Sequence, residues 1–390
     1  MPSLSPVVYC GFAIDAGTRD EDDGEEGMAH FVEHLIFKGT EKRKAWHILN
    51  RMENVGGDLN AFTNKEETVV YSAFLKEHFQ RAFELLADIV FHSVFPQREI
   101  DREVEVVLDE IRSYEDSPSE LIYDEFEGML FQGHPLGRNI LGRQERLKEF
   151  RTEDVLRFVR RYYCPANMVF FLKGDISLDR IVRCAERYLA GIPSGRVVLK
   201  RECPLAYVPL RRRVARDTHQ SHVMMGCRAY HAHDERRTGL FLLNNILGGP
   251  GMNSRLNVAL RERRGLVYNV ESCLMSYTDA GVFCIYFGTE HEHAERCMSL
   301  VRSELKKLRE RKLTTLQLSA AKKQLIGQIG VASDNFENEA LDMGKAFLHY
   351  GRFDSRQVLF ERIGRLDAFG LLEVANELFA DDNLSVLVYD

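Results

Sequence analysis

His30 and His34 stand four residues apart with Glu33 directly before the second, inside the run from Gly27 to Thr40. Residues at i and i+4 lie one above the other on a helix face, so the two imidazoles can reach a single metal ion. Glu33 is then set to accept a proton from a water that such an ion activates. The chemistry open to this trio is metal-assisted hydrolysis. The competing reading is a surface helix with two solvated histidines. Phe31, Leu35, Ile36 and Phe37 argue against it, because they give the segment an apolar side that must be buried, and Gly39 is the expected helix stop.

A hydrolytic metal centre needs three protein ligands and one open position, so a third donor must come from elsewhere. The stretch 98–111 has helical apolar spacing at Ile100, Val104, Val107, Leu108 and Ile111, with Glu103 and Glu110 two turns apart beside that stripe. Carboxylates held against a core-facing stripe are costly unless a cationic partner meets them. Glu110 is the expected third ligand and Glu103 its companion, orienting a ligand or carrying protons. The alternative is a solvated acidic face formed by Glu103, Glu105, Asp109 and Glu110.

Three segments together resemble the pitrilysin/insulinase-type zinc peptidases, the inverzincins, whose H-x-x-E-H order inverts H-E-x-x-H. They are Gly27–Thr40, Gly56–Thr63 with Glu66–Tyr71, and the Glu103/Glu110 stretch. The likeness is greatest to the short bacterial members similar to the mitochondrial processing peptidase β subunit. Glu110 lies at the distance from His34 at which that family carries its distal ligand. The resemblance implies one zinc per chain on His30, His34 and Glu110, Glu33 as general base, and a supporting role for Glu103. It implies that Arg261 holds substrate backbone and that Tyr268 steadies the oxyanion. Asn60, Ala61 and Phe62 are expected on an edge strand where a peptide adds as a further strand, a mode that reads backbone more than side chains. Read without the family, Arg261–Arg264 is a basic turn and Gly56-Gly57 an ordinary hairpin. A His-His-Glu donor set by itself accepts several divalent ions.

These residues must be positioned by a chain of 390 residues, long for one core. Its halves echo each other. Thr68–Phe74 runs into an amphipathic stretch 76–92, and Val282–Gly288 runs into 290–309; a helix end, a polar turn with Asn and an apolar strand recur at 160–172 and 376–388. The expectation is therefore two related domains, 1–193 carrying the metal motif and 211–390 without one, joined by a linker at 194–210. Each is expected to be α+β, a mostly antiparallel sheet packed with helices, and the resemblance implies that they face one another across a substrate cavity. Relatives usually carry one more strand ahead of the segment matching Val7–Ala16, which this chain starts too late to contain; the expectation is either a truncated start or a sheet one strand shorter, with an exposed edge that a partner could cover.

Composition narrows the classes. A net charge of −7 with 28% charged residues disfavours a nucleic-acid binder, and no apolar run is long enough for a membrane span. Eight dispersed cysteines without a C-x-x-C pair suggest free thiols, and with no secretory signal or mitochondrial presequence visible a cytoplasmic location is expected. His231/His233 and His291/His293 have metal-like composition but no third donor that spacing predicts, and Gly248–Gly251 is read as a tight turn, since it lacks a phosphate loop's Gly-Lys-Ser/Thr ending. The function expected is a zinc metalloendopeptidase acting on peptide substrate, as a homodimer or with a related partner subunit. The alternatives are a non-catalytic scaffold of the same fold and a narrow peptide-maturation protease.

Overall fold

The structure, a computed structural model, describes residues 5–390. Two sheets organise it. The first contains β1 (Val7–Ile14), β2 (Asp58–Thr63), β3 (Thr68–Leu75) and β4 (Met168–Lys173) in the order β2-β3-β1-β4, every pairing antiparallel. The second contains β5 (Arg211–Val214), β6 (Ser221–Ala229), β7 (Val267–Ser276), β8 (Gly281–Thr289) and β9 (Ser385–Tyr389) in the order β5-β9-β6-β8-β7. Only β5–β9 is parallel. Without β5, the second sheet repeats the first, β7-β8-β6-β9 matching β2-β3-β1-β4, so the sequence echo between the halves is an echo of strand order.

The compact units follow packing rather than chain order. One comprises 1–112, 138–201 and 333–353; the other comprises 113–137, 202–332 and 354–390. They differ from the expected contiguous stretches 1–193 and 211–390 because one helix of each half packs on the sheet of the other half, and the expected linker divides at Arg201.

In the first unit, alternation along β1 and β4 sends Phe12 and Phe170 to one face, where Phe83 of the helix Phe79–Phe91 meets both rings at 6.2 and 4.9 Å. Full burial, as at Phe12 and Phe83, contributes on the order of 1.5–3 kcal/mol per side chain. The opposite face presents Ala13, Tyr71 and Phe171 to the helix Phe336–Tyr350. Gly344 makes that approach possible: a Cβ there would lie 2.5 Å from the Phe171 ring. Polar ties hold the same helix, Tyr71 donating to Glu337 at 2.8 Å, Lys173 pairing with Glu339, and His349 pairing with Glu67 at 3.1 Å.

In the second unit, one sheet face carries Val223, Met225, Phe283, Ile285 and Phe287 against the helices Arg237–Gly248, Ala294–Glu310 and Ala368–Leu378. The other face carries Met224, Val282, Cys284, Tyr286 and Leu387, covered by Ile122 and Phe126 of the helix Pro118–Leu130.

Candidate metal centre

The helix Met28–Leu35 buries Met28, Phe31, Val32 and Leu35, a stripe at helical spacing. That stripe turns His30, Glu33 and His34 to the neighbouring side. The helix begins at Gly27, whose φ of +97° favours glycine and whose Cβ, if present, would lie 2.8 Å from Gly142 Cα. Its first N–H groups are satisfied from a distance: a Glu21 carboxylate oxygen accepts from Ala29 N–H at 2.9 Å, and both oxygens accept from Gly27 N–H at 3.1 and 3.2 Å. The helix ends at Leu35 rather than running on to the expected stop at Gly39, since Ile36 N–H closes the last turn on Val32.

The second helix, Gln97–Glu115, buries Ile100, Val104, Val107, Leu108 and Ile111 as its spacing predicts. Glu103 and Glu110 flank this stripe and reach the histidines. His34 Nδ1 lies 3.0 Å from Glu103 Oε1, while Lys38 Nζ donates to Glu103 Oε2 at 2.7 Å. The Nε2 atoms of both histidines face Glu110, at 3.8 Å from His30 and 3.4 Å from His34. One ligand atom from each of His30, His34 and Glu110 falls within 4.8 Å of the others. This three-donor set, one nitrogen from each imidazole and a carboxylate oxygen, fits a small divalent ion with a position left open.

Charges are tuned to that arrangement. Burial, reinforced by the neighbouring His34, pulls His30 down to about 4. Burial also pulls on His34, but the carboxylates of Glu103 and Glu110 overcome it and raise it to about 9. The hydrogen bond from His34 holds Glu110 below the usual carboxylate range. Glu103 is likewise lowered, burial pushing up while His34 and Lys38 push down harder. Glu33 moves the other way: burial raises its carboxyl, against a hydrogen bond from Thr63. A carboxylate so raised is the better proton acceptor.

The expected edge-strand residues Asn60, Ala61 and Phe62 lie on β2, at the border of the first sheet, opposite Tyr71, Val70 and Val69 of β3. In the second unit Arg261 lies in the last turn of a π-helical segment, Asn257–Glu262, and its guanidinium lies 5.9 Å from the Tyr268 ring centre. Tyr268 is 87% exposed. Among the other histidines considered, His293 clusters with Glu290 and Glu292 on an exposed turn, and the eight cysteines are unbridged.

Four residues escaped sequence reasoning. Glu21, in the acidic run 20–26, is buried. Lys38 and Thr63 act through tertiary contacts alone. Arg201, in what reads as a linker, is sealed between Asp20 and Asp15 at 2.8 Å each.

Comparison with known proteins finds matches along both halves of the chain. Residues 3–144 match the model of the insulinase family, peptidase family M16, and residues 149–325 match that of the peptidase M16 inactive domain. An uncharacterized zinc protease of Rickettsia bellii is 32% identical over 388 residues, spanning 100% of this chain and 93% of the relative. One of Bacillus subtilis is 33% identical over 384 residues, spanning 98% and 92%. A protease from Helicobacter pylori has a similar fold, with a TM-score of 0.93 at 22% identity over 100% of this chain and 95% of that one. So does a protein described as a peptidase M16 inactive domain from Pseudomonas fluorescens, with a TM-score of 0.90 at 21% identity over 99% and 93%. With both halves matched and two relatives aligned along nearly their full length, the chain belongs to peptidase family M16, the insulinase family.

Proposed function

We propose that this protein is a zinc-dependent endopeptidase that hydrolyses peptide bonds in peptides or unfolded segments. The observation that carries the reading is the convergence of His30 Nε2, His34 Nε2 and the Glu110 carboxylate, with Glu33 on the same helix as the histidines. His30, His34 and Glu110 would hold one zinc, which when bound would supply Lewis-acid activation of a water and of the scissile carbonyl. Glu33 removes the proton from water and delivers it to the leaving amine, a task suited to its raised proton affinity. Glu103 fixes the His34 ring and Lys38 neutralises Glu103. The peptide adds as a strand along β2 at Asn60, Ala61 and Phe62, and Arg261 and Tyr268 take up its backbone and the oxyanion. The halves 1–193 and 211–390 divide these tasks as catalysis and binding, and the protein acts in the cytoplasm as a homodimer or with a related subunit. Among the described residues no helix is long and apolar enough to cross a membrane.

The deciding experiment compares wild type with Glu33→Gln for zinc content and cleavage of a quenched peptide panel. Zinc content should be equal, while turnover falls by about 100-fold or more. Equal turnover in the two proteins would remove Glu33 from the chemistry. A zinc-loaded wild type inert on the whole panel would instead favour a scaffold, and cleavage confined to one peptide a narrow maturation protease.

A further inference from the structure

The β7–β8 hairpin sets two thiols side by side. Cys273 and Cys284 are direct partners in its antiparallel register. At the closed end Tyr277 N–H donates to Ala280 C=O, and hydrogen-bonded pairs recur at every second residue, so Met275/Val282 and Cys273/Cys284 are hydrogen-bonded positions. Such positions hold their Cα atoms about 5.5 Å apart, within the span a disulfide bridges. Directly opposite residues point to the same sheet face. On that face Cys284 is 1% exposed, while Cys273 is partly open and borders a cavity of about 590 Å³ lined also by Tyr123, Glu271 and Tyr286. One thiol is thus reachable by a small solute and the other lies behind it.

We propose that Cys273 and Cys284 form a redox-active dithiol that closes to a disulfide across β7–β8 when a hydroperoxide enters this cavity. Cys273 as thiolate attacks the peroxide oxygen, the O–O bond breaks, and Cys273 becomes a sulfenic acid as hydroxide leaves. Cys284 sulfur then attacks Cys273 sulfur, the S–S bond forms, and the S–O bond breaks to release water. Two electrons pass from the thiols to the peroxide, and the two thiol protons end in water; with hydrogen peroxide the products are the disulfide and two waters. The division of labour agrees with the local chemistry. The Cys284 S–H donates to Cys273 sulfur, which holds Cys273 below the usual thiol range, while that hydrogen bond and burial hold Cys284 above it. Tyr123 hydrogen-bonds Glu271 at 2.8 Å and its ring lies 5.6 Å from Tyr286, so the helix Pro118–Leu130 is anchored beside the reacting pair. Thiol–disulfide exchange with a small dithiol reopens the bond.

The test treats the reduced full-length protein with hydrogen peroxide, blocks remaining thiols by alkylation and maps peptides by mass. Both cysteines fall in the tryptic peptide 265–296, which contains no internal Lys or Arg. The expected result is joint loss of alkylation at both, a peptide lighter by two hydrogens, linkage of the two fragments made by cutting after Tyr277, and reversal by dithiothreitol. In Cys284→Ser, Cys273 should accumulate as a sulfenic acid trapped by dimedone. The proposal falls if both thiols stay alkylatable at a dose that oxidises the exposed Cys203, or if Cys273 reaches the sulfinic acid while Cys284 remains free. The wild-type map decides even if the buried Cys284→Ser substitution impairs folding.

Discussion

Glu103 holds the Nδ1 of His34 at 3.0 Å, which leaves Nε2 of the same ring to face Glu110 at 3.4 Å. One carboxylate therefore fixes both the tautomer and the rotation of a metal-binding imidazole, and Lys38 fixes that carboxylate from its other oxygen at 2.7 Å. Outer partners of this kind typically contribute about 10–100-fold in metal affinity. Glu103→Ala should weaken zinc binding by that amount in competition with a chromophoric chelator, and Lys38→Ala by less, because the His34–Glu103 contact survives it. Unchanged affinity in Glu103→Ala would leave Glu103 a mere packing residue.

Glu21 serves the same helix from its other end. Its carboxylate accepts from Gly27 and Ala29 N–H groups that have no partner within the helix, the task usually done by an adjacent capping side chain. Burial raises its pKa well above the usual carboxylate range, and Glu21→Gln tests acceptance against charge, since the amide keeps one oxygen acceptor for these N–H groups and removes the charge. Glu21→Ala should cost about 1–2 kcal/mol of stability in denaturant unfolding, together with zinc retained through dialysis, whereas Glu21→Gln should recover most of both. Equal losses in the two variants would show that charge, not hydrogen-bond acceptance, is what the helix needs.

The contrast between these carboxylates explains what a linear reading can reach. His30, Glu33 and His34 lie within one helical turn, and Glu103 and Glu110 within two turns of another, so periodicity exposes each set. Glu21, Lys38 and Thr63 matter through contacts that no period relates. The strand echo between the halves was visible because alternation is local, and it corresponds to the same order in both sheets. The exchange of helices was not visible. Phe336–Tyr350 is amphipathic like any other helix, and tertiary contacts such as the fit of Gly344 against Phe171 and the Tyr71–Glu337 hydrogen bond show which sheet it covers. Arg201 was hidden similarly, a basic residue among loop-forming neighbours that closes a buried acidic pocket.

Zinc uptake should release protons in a pH-dependent way. In the metal-free protein His34 is raised to about 9 and His30 lowered to about 4, so at pH 7 one imidazole is charged and the other neutral. A nitrogen that binds zinc must first lose its proton. Calorimetry in buffers of different ionisation enthalpy should therefore find roughly one proton released per zinc near pH 7, falling towards none above pH 10. The sign for stability follows from the same shift: the raised His34 stabilises the metal-free fold fully below its unfolded value of about 6.5, and loses that contribution as pH rises through about 9. No proton release at pH 7 would contradict the charged state assigned to His34.

A second histidine makes the first unit pH-sensitive away from the metal. His349, on the helix Phe336–Tyr350, pairs with Glu67 at 3.1 Å, with Asp15 and Glu66 adding negative charge and Lys345 adding positive charge near Glu67. Burial opposes the charged form of each partner, yet the hydrogen bond between them wins, raising His349 and lowering Glu67. The His349 contribution is complete below about 6.5 and is lost as pH rises through its raised value. The Glu67 contribution is complete above about 4.3 and is lost as pH falls through its lowered value. Docking of the helix should then be strongest between these limits. His349→Gln keeps the shape and removes the charge, so its deficit in melting temperature against wild type should be largest near pH 5.5 and shrink steadily towards pH 9. A deficit independent of pH would mean that His349 holds the helix by packing alone.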